Sequence, residues 1–373
     1  MSPVVIDIRS AEDSRDVVHL AVQALAEGEL VAFPTETVYG LAACGLNERA
    51  VERLSAAKGR QEGHPFTLAI KSADDALDYV PAMSALGQRL ARRCWPGPVT
   101  LVVADRHPDS LLRQLPAGVQ RFVVPHATVG LRVPAHKTIQ DVMRLLPGPI
   151  VLTSANRTGE RDSMTAADVR ASLGDDVQLV LDDGRSRYGQ PSSVVRLVEG
   201  GFEVVREGVV SQATLRRLSS LMVLFVCTGN TCRSPMAETL FRKLLAQRLG
   251  CAVAEVEDRG VIVASAGIAA VMGGRPSPEA VDCMARMNLD LSQHETQLLT
   301  EKLIRHADIV ITMTRSHRQA VISQWPDAAA RTWLLCHNQQ DVADPIGGPL
   351  EQYHQCAQQL RGELEIWARQ VDF

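Results

Sequence analysis

Aromatic side chains are scarce: Phe, Trp and Tyr make up 4% of the 373 residues. Any core must therefore rely on Val, Leu, Ile and Ala. A basic surplus is also missing. The chain has 39 Lys and Arg against 43 Asp and Glu, a net charge of −4, so bulk charge does not demand a nucleic acid as direct partner. No apolar run reaches the roughly 18 to 20 residues of a membrane-spanning helix, so no membrane contact is expected. The opening "MSPVVIDIRSAEDSRD" turns polar and acidic early, unlike a secretory signal; the expected location is the cytoplasm. The eight cysteines are scattered and do not form the dense framework of a small secreted domain. No CxxC pair occurs, which argues against structural zinc, and no metal-ligand set is expected.

What is present is enough chain for two domains. Apolar runs recur: "GELVAFP", "TLAI", "VTLVVA", "RFVVP", "GPIVLT", "VQLVLD", "SSVVRLV", then "MVLFVC", "VIVASAG", "DIVITM" and "TWLLC". Amphipathic stretches such as "AVQALAEGEL" and "AVERLSAAKGR" separate many of them. Strands interleaved with helices predict α/β architecture. The polar segment "SQATLRRLSSL" carries no strand signal, and Met222 opens a fresh strand. The expected division is a first domain over 1–212, a linker over 213–221 and a second domain over 222–373.

The second domain starts with "MVLFVCTGNTCRSPMAETLF". A strand ends at Cys227 and a helix begins near Ser234-Pro235, where proline suits a first helical turn. Between them the pattern is C-x5-R: Cys227, Thr228, Gly229, Asn230, Thr231, Cys232, Arg233, then Ser234. A loop that runs into a helix N-terminus has free N–H groups and a dipole that favour an anion. Arg233 adds a bidentate grip on phosphoryl oxygens. The same field favours the Cys227 thiolate, to which Ser234 can donate a hydrogen bond. A thiolate at the bottom of a phosphate cradle is a nucleophile aimed at phosphorus.

"VCTGNTCRSPMAE" resembles the signature loop of the low-molecular-weight protein tyrosine phosphatase family, which also carries an Asp-Pro near the domain's C-terminus; here "DVADPIGGPLEQY" supplies Asp344-Pro345. The resemblance covers roughly residues 222 to 373. It implies a doubly wound, parallel four-stranded α/β sheet with a phosphate-binding loop and no cofactor. It further implies that Cys227 attacks, Arg233 binds the phosphoryl group, and Asp344 protonates the leaving group and then activates water. Asn230 and Ser234 would hold the loop. Tyrosine-directed members flank the phenyl ring with aromatics. Here Ile346-Gly347-Gly348 follows the Asp-Pro, and the facing stretch "SAGIAAVMGGRPSPEA" has none, so stacking on a phenyl ring is lost. "CTGNTCR" is similar to the loop of bacterial protein-arginine phosphatases, in which the threonine at the place of Thr231 helps discriminate a phosphoguanidinium. The expected substrate is a phosphorylated protein, phosphoarginine before phosphotyrosine. Arsenate reductase is a rival on the same fold, but its family needs further cysteines after the strand that here reads "VITMTRSHRQAV". Cys232 has two readings, a disulfide partner that protects Cys227 or a packing residue.

In the first domain, "LVAFP" runs into Thr35-Glu36-Thr37, and a helix is expected to follow and end near Lys58-Gly59-Arg60. Hydroxyls with paired basic residues suit a ligand bearing a carboxylate and phosphates. "WPGPVTLVV", "TVGLRVPAHK", "IVLTSANRTG", "LDDGRSRYGQPSSVV" and "VVREG" follow in order. Together these motifs, over roughly residues 10 to 212, resemble the YrdC-type threonylcarbamoyl-adenylate synthase family. The resemblance implies an open twisted α/β sheet with a basic concave cleft. It implies L-threonine, bicarbonate and ATP with Mg²⁺ as reactants, and a separate transferase that passes the product to tRNA. Thr37, Arg132, Ser154 and Ser192 would then sit near threonine and its carbamate. Lys58, Arg60, His64, Thr128, Asn156 and Arg206 would face ATP, with Thr35 in the same turn. This sequence departs from the family pattern at Gln61, Ala69 and Ser193. A domain that only binds RNA or nucleotide is the alternative from another class.

Overall fold

The structure is a computed structural model and describes residues 3–59 and 64–371. The chain divides into two compact units, Met1–Leu218 and Ser219–Phe373.

Among the described residues of the first unit, ten strands form one mixed sheet. Their spatial order is Val4–Asp7, Leu179–Asp182, Val31–Phe33, Gly40–Cys44, Ile150–Ser154, Thr67–Ala69, Thr128–Arg132, Val99–Ala104, Ser193–Val198 and Gly201–Arg206. Alternation along the strands divides the apolar residues between two faces. Leu41 and Ala43 join one core with Leu54, Leu68 and Trp95. Ala42 and Cys44 join the other with Val17, Leu25 and Ile139. The helices Ser14–Ala26 and Lys137–Leu145 cover the second face, and Glu48–Lys58 and Ala85–Cys94 cover the first.

Three local expectations change. The Thr35–Thr37 turn does not lead straight into a helix. The strand Gly40–Cys44 intervenes, pairs antiparallel with Val31–Phe33, and is buried throughout. Its small residues lack the β-branched signature of a strand, and that smallness suits close approach. At Gly40 a Cβ would sit 2.8 Å from Leu152 Cδ1. "RFVVP" falls largely within the helix Ala117–Val123, because Val119 and Val123 are buried at the i, i+4 spacing of one helix face. The segment expected as a linker is mostly the helix Gln212–Ser219, whose Leu215 is buried in the first unit's core. The next strand begins at Leu221, one residue before Met222.

Among its described residues the second unit holds four strands in the order Val261–Gly267, Leu221–Cys227, Ile309–Thr312 and Thr332–Leu334, every pair parallel. Helices Arg233–Leu249, Pro278–Arg286 and Leu350–Gln370 pack through Phe241, Met284 and Leu360 on the face that holds Phe225. Helices Glu301–His306 and Arg315–Gln324 pack through Ile304 and Val321 on the face that holds Leu224 and Val226. This is the expected doubly wound sheet. Its first strand is flanked by the second and third, so the chain reverses direction at the carboxyl end of Leu221–Cys227, where such sheets form a crevice. Among the described residues, no helix is long and apolar enough to cross a membrane.

Candidate active sites

In the first unit the strand ends surround a cavity of about 310 Å³. Its walls include Thr35, Thr37, Thr128, Arg132, Ser154, Ser192 and Arg206. All four residues expected at the threonine therefore line one space, together with Thr128 and Arg206 from the ATP set. Arg132 ends the strand Thr128–Arg132 and is buried. Its Nε donates to Gly97 O at 3.2 Å, and its Nη2 donates to Thr37 Oγ1 at 2.9 Å and Glu36 Oε1 at 2.7 Å. The other Glu36 oxygen accepts from Ala135 N at 2.9 Å. Thr35 Oγ1 bonds Thr37 Oγ1 at 2.8 Å and donates to Val38 O at 2.6 Å, which fixes the turn.

Across the cavity, Arg206 donates to Ser192 O at 2.8 Å through Nη2 and at 3.2 Å through Nε. Ser192 Oγ bonds Thr100 Oγ1 at 3.0 Å. Burial pulls the Arg206 pKa below its usual value, and the positive charge of Arg132 adds to that while Asp162 opposes it. Two guanidiniums that feel each other across a small space form a place for an anion. Lys58, on the last turn of Glu48–Lys58, is buried. Its Nζ donates to Ser154 O at 2.7 Å and to the backbone and side-chain oxygens of Asn156. That joins Lys58 and Asn156 to the Ser154 wall. His64 is exposed and is absent from the cavity walls, contrary to the expectation that it faces ATP; only its neighbour Pro65 lines the space. Arg60 lies outside the described residues. Glu36 and Thr100 were not singled out from sequence, although both stand inside quoted motifs.

In the second unit the loop from Cys227 to Arg233 lies at the sheet's switch point. Cys227 is buried. Its Sγ is 3.0 Å from Ser234 Oγ and accepts the Asn230 N–H at 3.3 Å. Asn230 adopts a left-handed φ of 58°, which asparagine tolerates better than most side chains. Its Nδ2 donates to Ser234 Oγ and Ser265 Oγ, each at 2.9 Å, and its Oδ1 accepts from Gln297 N at 2.9 Å. His294 Nε2 lies 3.0 Å from Asn230 O. At Gly267 a Cβ would stand 2.4 Å from Thr228 O, so the loop's close packing on the neighbouring strand requires glycine.

Arg233 opens the helix Arg233–Leu249 and is buried. It bonds Asp344 Oδ2 through Nη2, Val342 O at 3.2 Å through Nη1, and Thr228 Oγ1 at 3.5 Å. Cys227 and Ser234 are thus in contact in the loop, and Arg233 joins that loop to Asp344. Asp344 is partly exposed, with its other oxygen accepting from Ile346 N at 3.3 Å. Thr231 Oγ1 is 3.5 Å from Cys232 Sγ. Cys232 is a free thiol, 3.3 Å from Ser277 Oγ and 3.7 Å from Tyr353 OH. His317, which sequence reading passed over, is buried with Nε2 2.8 Å from Thr228 Oγ1 and Nδ1 2.8 Å from Thr314 Oγ1.

The first unit is thus an α/β domain with a cationic, hydroxyl-lined cavity. The second is a parallel α/β domain with a thiol set beneath an oxyanion-binding loop. The family model Sua5_yciO_yrdC, described as telomere recombination, matches residues 23–208. That of low molecular weight phosphotyrosine protein phosphatase matches residues 222–372. A threonylcarbamoyl-AMP synthase of Chromohalobacter salexigens is 34% identical over 189 residues, covering 51% of this chain and 97% of that one. One from Pyrococcus abyssi is 33% identical over 205 residues, covering 55% of this chain, which spans only 57% of that relative. A protein-arginine-phosphatase of Bacillus subtilis is 39% identical over 153 residues, covering 40% of this chain and 93% of that one. The solved structure of a Sua5 double mutant from Pyrococcus abyssi shares the fold with a TM-score of 0.52 at 23% identity, over 90% of this chain and 100% of that one. The chain belongs to the Sua5/YciO/YrdC family through its first unit and to the low-molecular-weight phosphatase family through its second. It joins two enzyme domains in one polypeptide.

Proposed function

We propose that the first unit condenses L-threonine, bicarbonate and ATP into L-threonylcarbamoyl-adenylate, and that the second is a cysteine-dependent protein phosphatase, both working in the cytoplasm. The synthase reading is carried by the convergence of Thr37, Arg132, Ser154, Ser192 and Arg206 on one cavity, and the names of the relatives agree with it. The threonine amine bonds to the carbon of bicarbonate with loss of water to form a carbamate, whose carboxylate oxygen attacks the α-phosphorus as the bond to pyrophosphate breaks. Arg132, Arg206 and Lys58 offset the negative charge as it shifts towards the leaving group. Hydroxyls of Thr37, Ser154 and Ser192 hold the small polar amino acid in place, and positioning does most of the work. Among the mixed apolar and polar residues around the cavity, the charged side chains are the cations Arg132 and Arg206 and most of the other polar ones are hydroxyls, which suits phosphates; Mg²⁺ would arrive with ATP, held by those phosphates, and would neutralise part of their charge. The product suits a separate transferase that modifies tRNA. Pyrophosphate release by the purified chain should require threonine and bicarbonate. Release without threonine, or ATP binding with no release, would favour a binding-only module.

The phosphatase reading is carried by Cys227 Sγ, which receives the Asn230 N–H and sits beside Ser234 Oγ in the loop that Arg233 closes. The Cys227 thiolate forms a P–S bond as the bond to the leaving group breaks, and Asp344 gives its proton to that group. Water then attacks phosphorus, Asp344 takes a proton from it, and the P–S bond breaks to free phosphate and the thiolate. Phosphoarginine is the proposed substrate. The Bacillus subtilis relative is named for that activity, Thr231 stands in the loop, and the facing stretch 265–280 holds no aromatic ring. Turnover of phosphoarginine and phosphotyrosine proteins, with Cys227→Ser as control, tests this reading.

A further inference from the structure

We infer that His317 is a positioning residue for Arg233 and acts through the hydroxyl of Thr228; this rests on the phosphatase reading. His317 lies in the first turn of the helix Arg315–Gln324, which follows the strand Ile309–Thr312 beside Leu221–Cys227. Its ring is buried and bridges two threonine hydroxyls: Nε2 to Thr228 Oγ1 and Nδ1 to Thr314 Oγ1, each at 2.8 Å.

The proton arrangement follows from the partners. Arg233 has only donors, so its Nη2 donates into Thr228 Oγ1 at 3.5 Å. Thr228 can then give its own proton to His317 Nε2, with Nδ1–H donating to Thr314 Oγ1. Thr314 Oγ1 also accepts the His317 backbone N–H at 3.2 Å and sits 2.8 Å from Ser316 Oγ, which can take its proton. Both threonine hydroxyls have a donor and an acceptor role filled, and the end result is a Thr228 lone pair aimed at the guanidinium.

This arrangement needs a neutral ring with Nε2 free to accept. Burial, then the Arg233 charge, pull the His317 pKa down to about 4, against Asp344 and Asp341 which raise it. Protonated His317 would donate from both nitrogens, compete with Arg233 for Thr228 Oγ1, and set a second cation beside it. Arg233 must leave Asp344 to grip a phosphoryl group, and Thr228 is the side-chain contact that can keep it aimed while it does so.

The test uses the full chain and reads kcat, KM and the inhibition constant of inorganic phosphate on a phosphoarginine protein. His317→Leu and Thr228→Val should each weaken phosphate binding about five- to tenfold, the scale of one hydrogen bond. The double variant should be no worse than either single one. His317→Gln, whose Oε1 can accept from Thr228, and Thr228→Ser should recover most of the loss. Phosphate inhibition unchanged in His317→Leu, or additive losses in the double variant, would overturn the inference. If His317→Leu does not fold, the contrast between Thr228→Val and Thr228→Ser decides. Wild-type turnover no faster than Cys227→Ser would instead reject the phosphatase reading itself.

Discussion

Arg132, which lines the first unit's cavity, forms a buried ion pair with Glu36, Nη2 to Oε1 at 2.7 Å. Glu36 holds the guanidinium from one side while Thr37 Oγ1 accepts from the same nitrogen. The arginine is thereby aimed before any ligand arrives. Removing one partner of such a pair leaves an uncompensated buried charge, which costs more than the pair itself contributes. Glu36→Ala should therefore destabilise the first unit by roughly 3 kcal/mol and abolish threonine-dependent pyrophosphate release. Denaturant unfolding, followed alongside activity, checks both. A fully stable variant would mean that solvent reaches Arg132.

Arg206 faces the same cavity from the Ser192 side. Arg206→Gln should raise the KM for ATP about tenfold, the scale of a lost charge-assisted hydrogen bond, and leave the KM for threonine nearly unchanged. Steady-state kinetics with each substrate varied in turn gives the answer.

Asn230 supports the thiol loop by its backbone and its side chain together. Asn230→Gly keeps the left-handed φ but loses the bonds to Ser234, Ser265 and Gln297. It should fold and lose phosphatase activity by more than tenfold, since several buried hydrogen bonds go at once. Asn230→Ala should be worse, because it adds backbone strain of about 1 kcal/mol. Circular dichroism and turnover separate the two effects.

The stability of the second unit should depend on pH through His317. Its folded pKa is lowered to about 4 from 6.5. Between those values the unfolded chain binds a proton that the folded chain refuses. Stability from this group is therefore full above about pH 6.5 and is lost as pH falls towards 4. Urea unfolding of wild type and His317→Gln at pH 7, 5.5 and 4.5 should show a steeper decline in the wild type.

Much of this was legible in the sequence because chemistry and local structure coincide there. The C-x5-R loop is one strand end, one tight turn and one helix start, so its residues converge through local geometry alone. The cavity of the first unit is different. Thr37, Arg132, Ser154 and Ser192 lie far apart in the chain, and only the motifs' resemblance to a family grouped them before the fold did. The strand Gly40–Cys44 was hidden because buried alanines and a glycine carry no strand propensity. "RFVVP" misled because a short apolar run fits a buried strand or a helix face equally well. His317 was missed since a histidine after a strand is unremarkable until the fold sets it against Thr228. Glu36 was missed because sequence shows no partner for it 96 residues away.

The central claim for the second unit is a thiol phosphatase that prefers phosphoarginine. One carrier protein, prepared in phosphoarginine and phosphotyrosine forms, should be offered to the reduced full chain and to Cys227→Ser. The account predicts faster release of phosphate from phosphoarginine by the wild type and none above background from Cys227→Ser. Faster release from phosphotyrosine, or full activity without the Cys227 thiol, would contradict it.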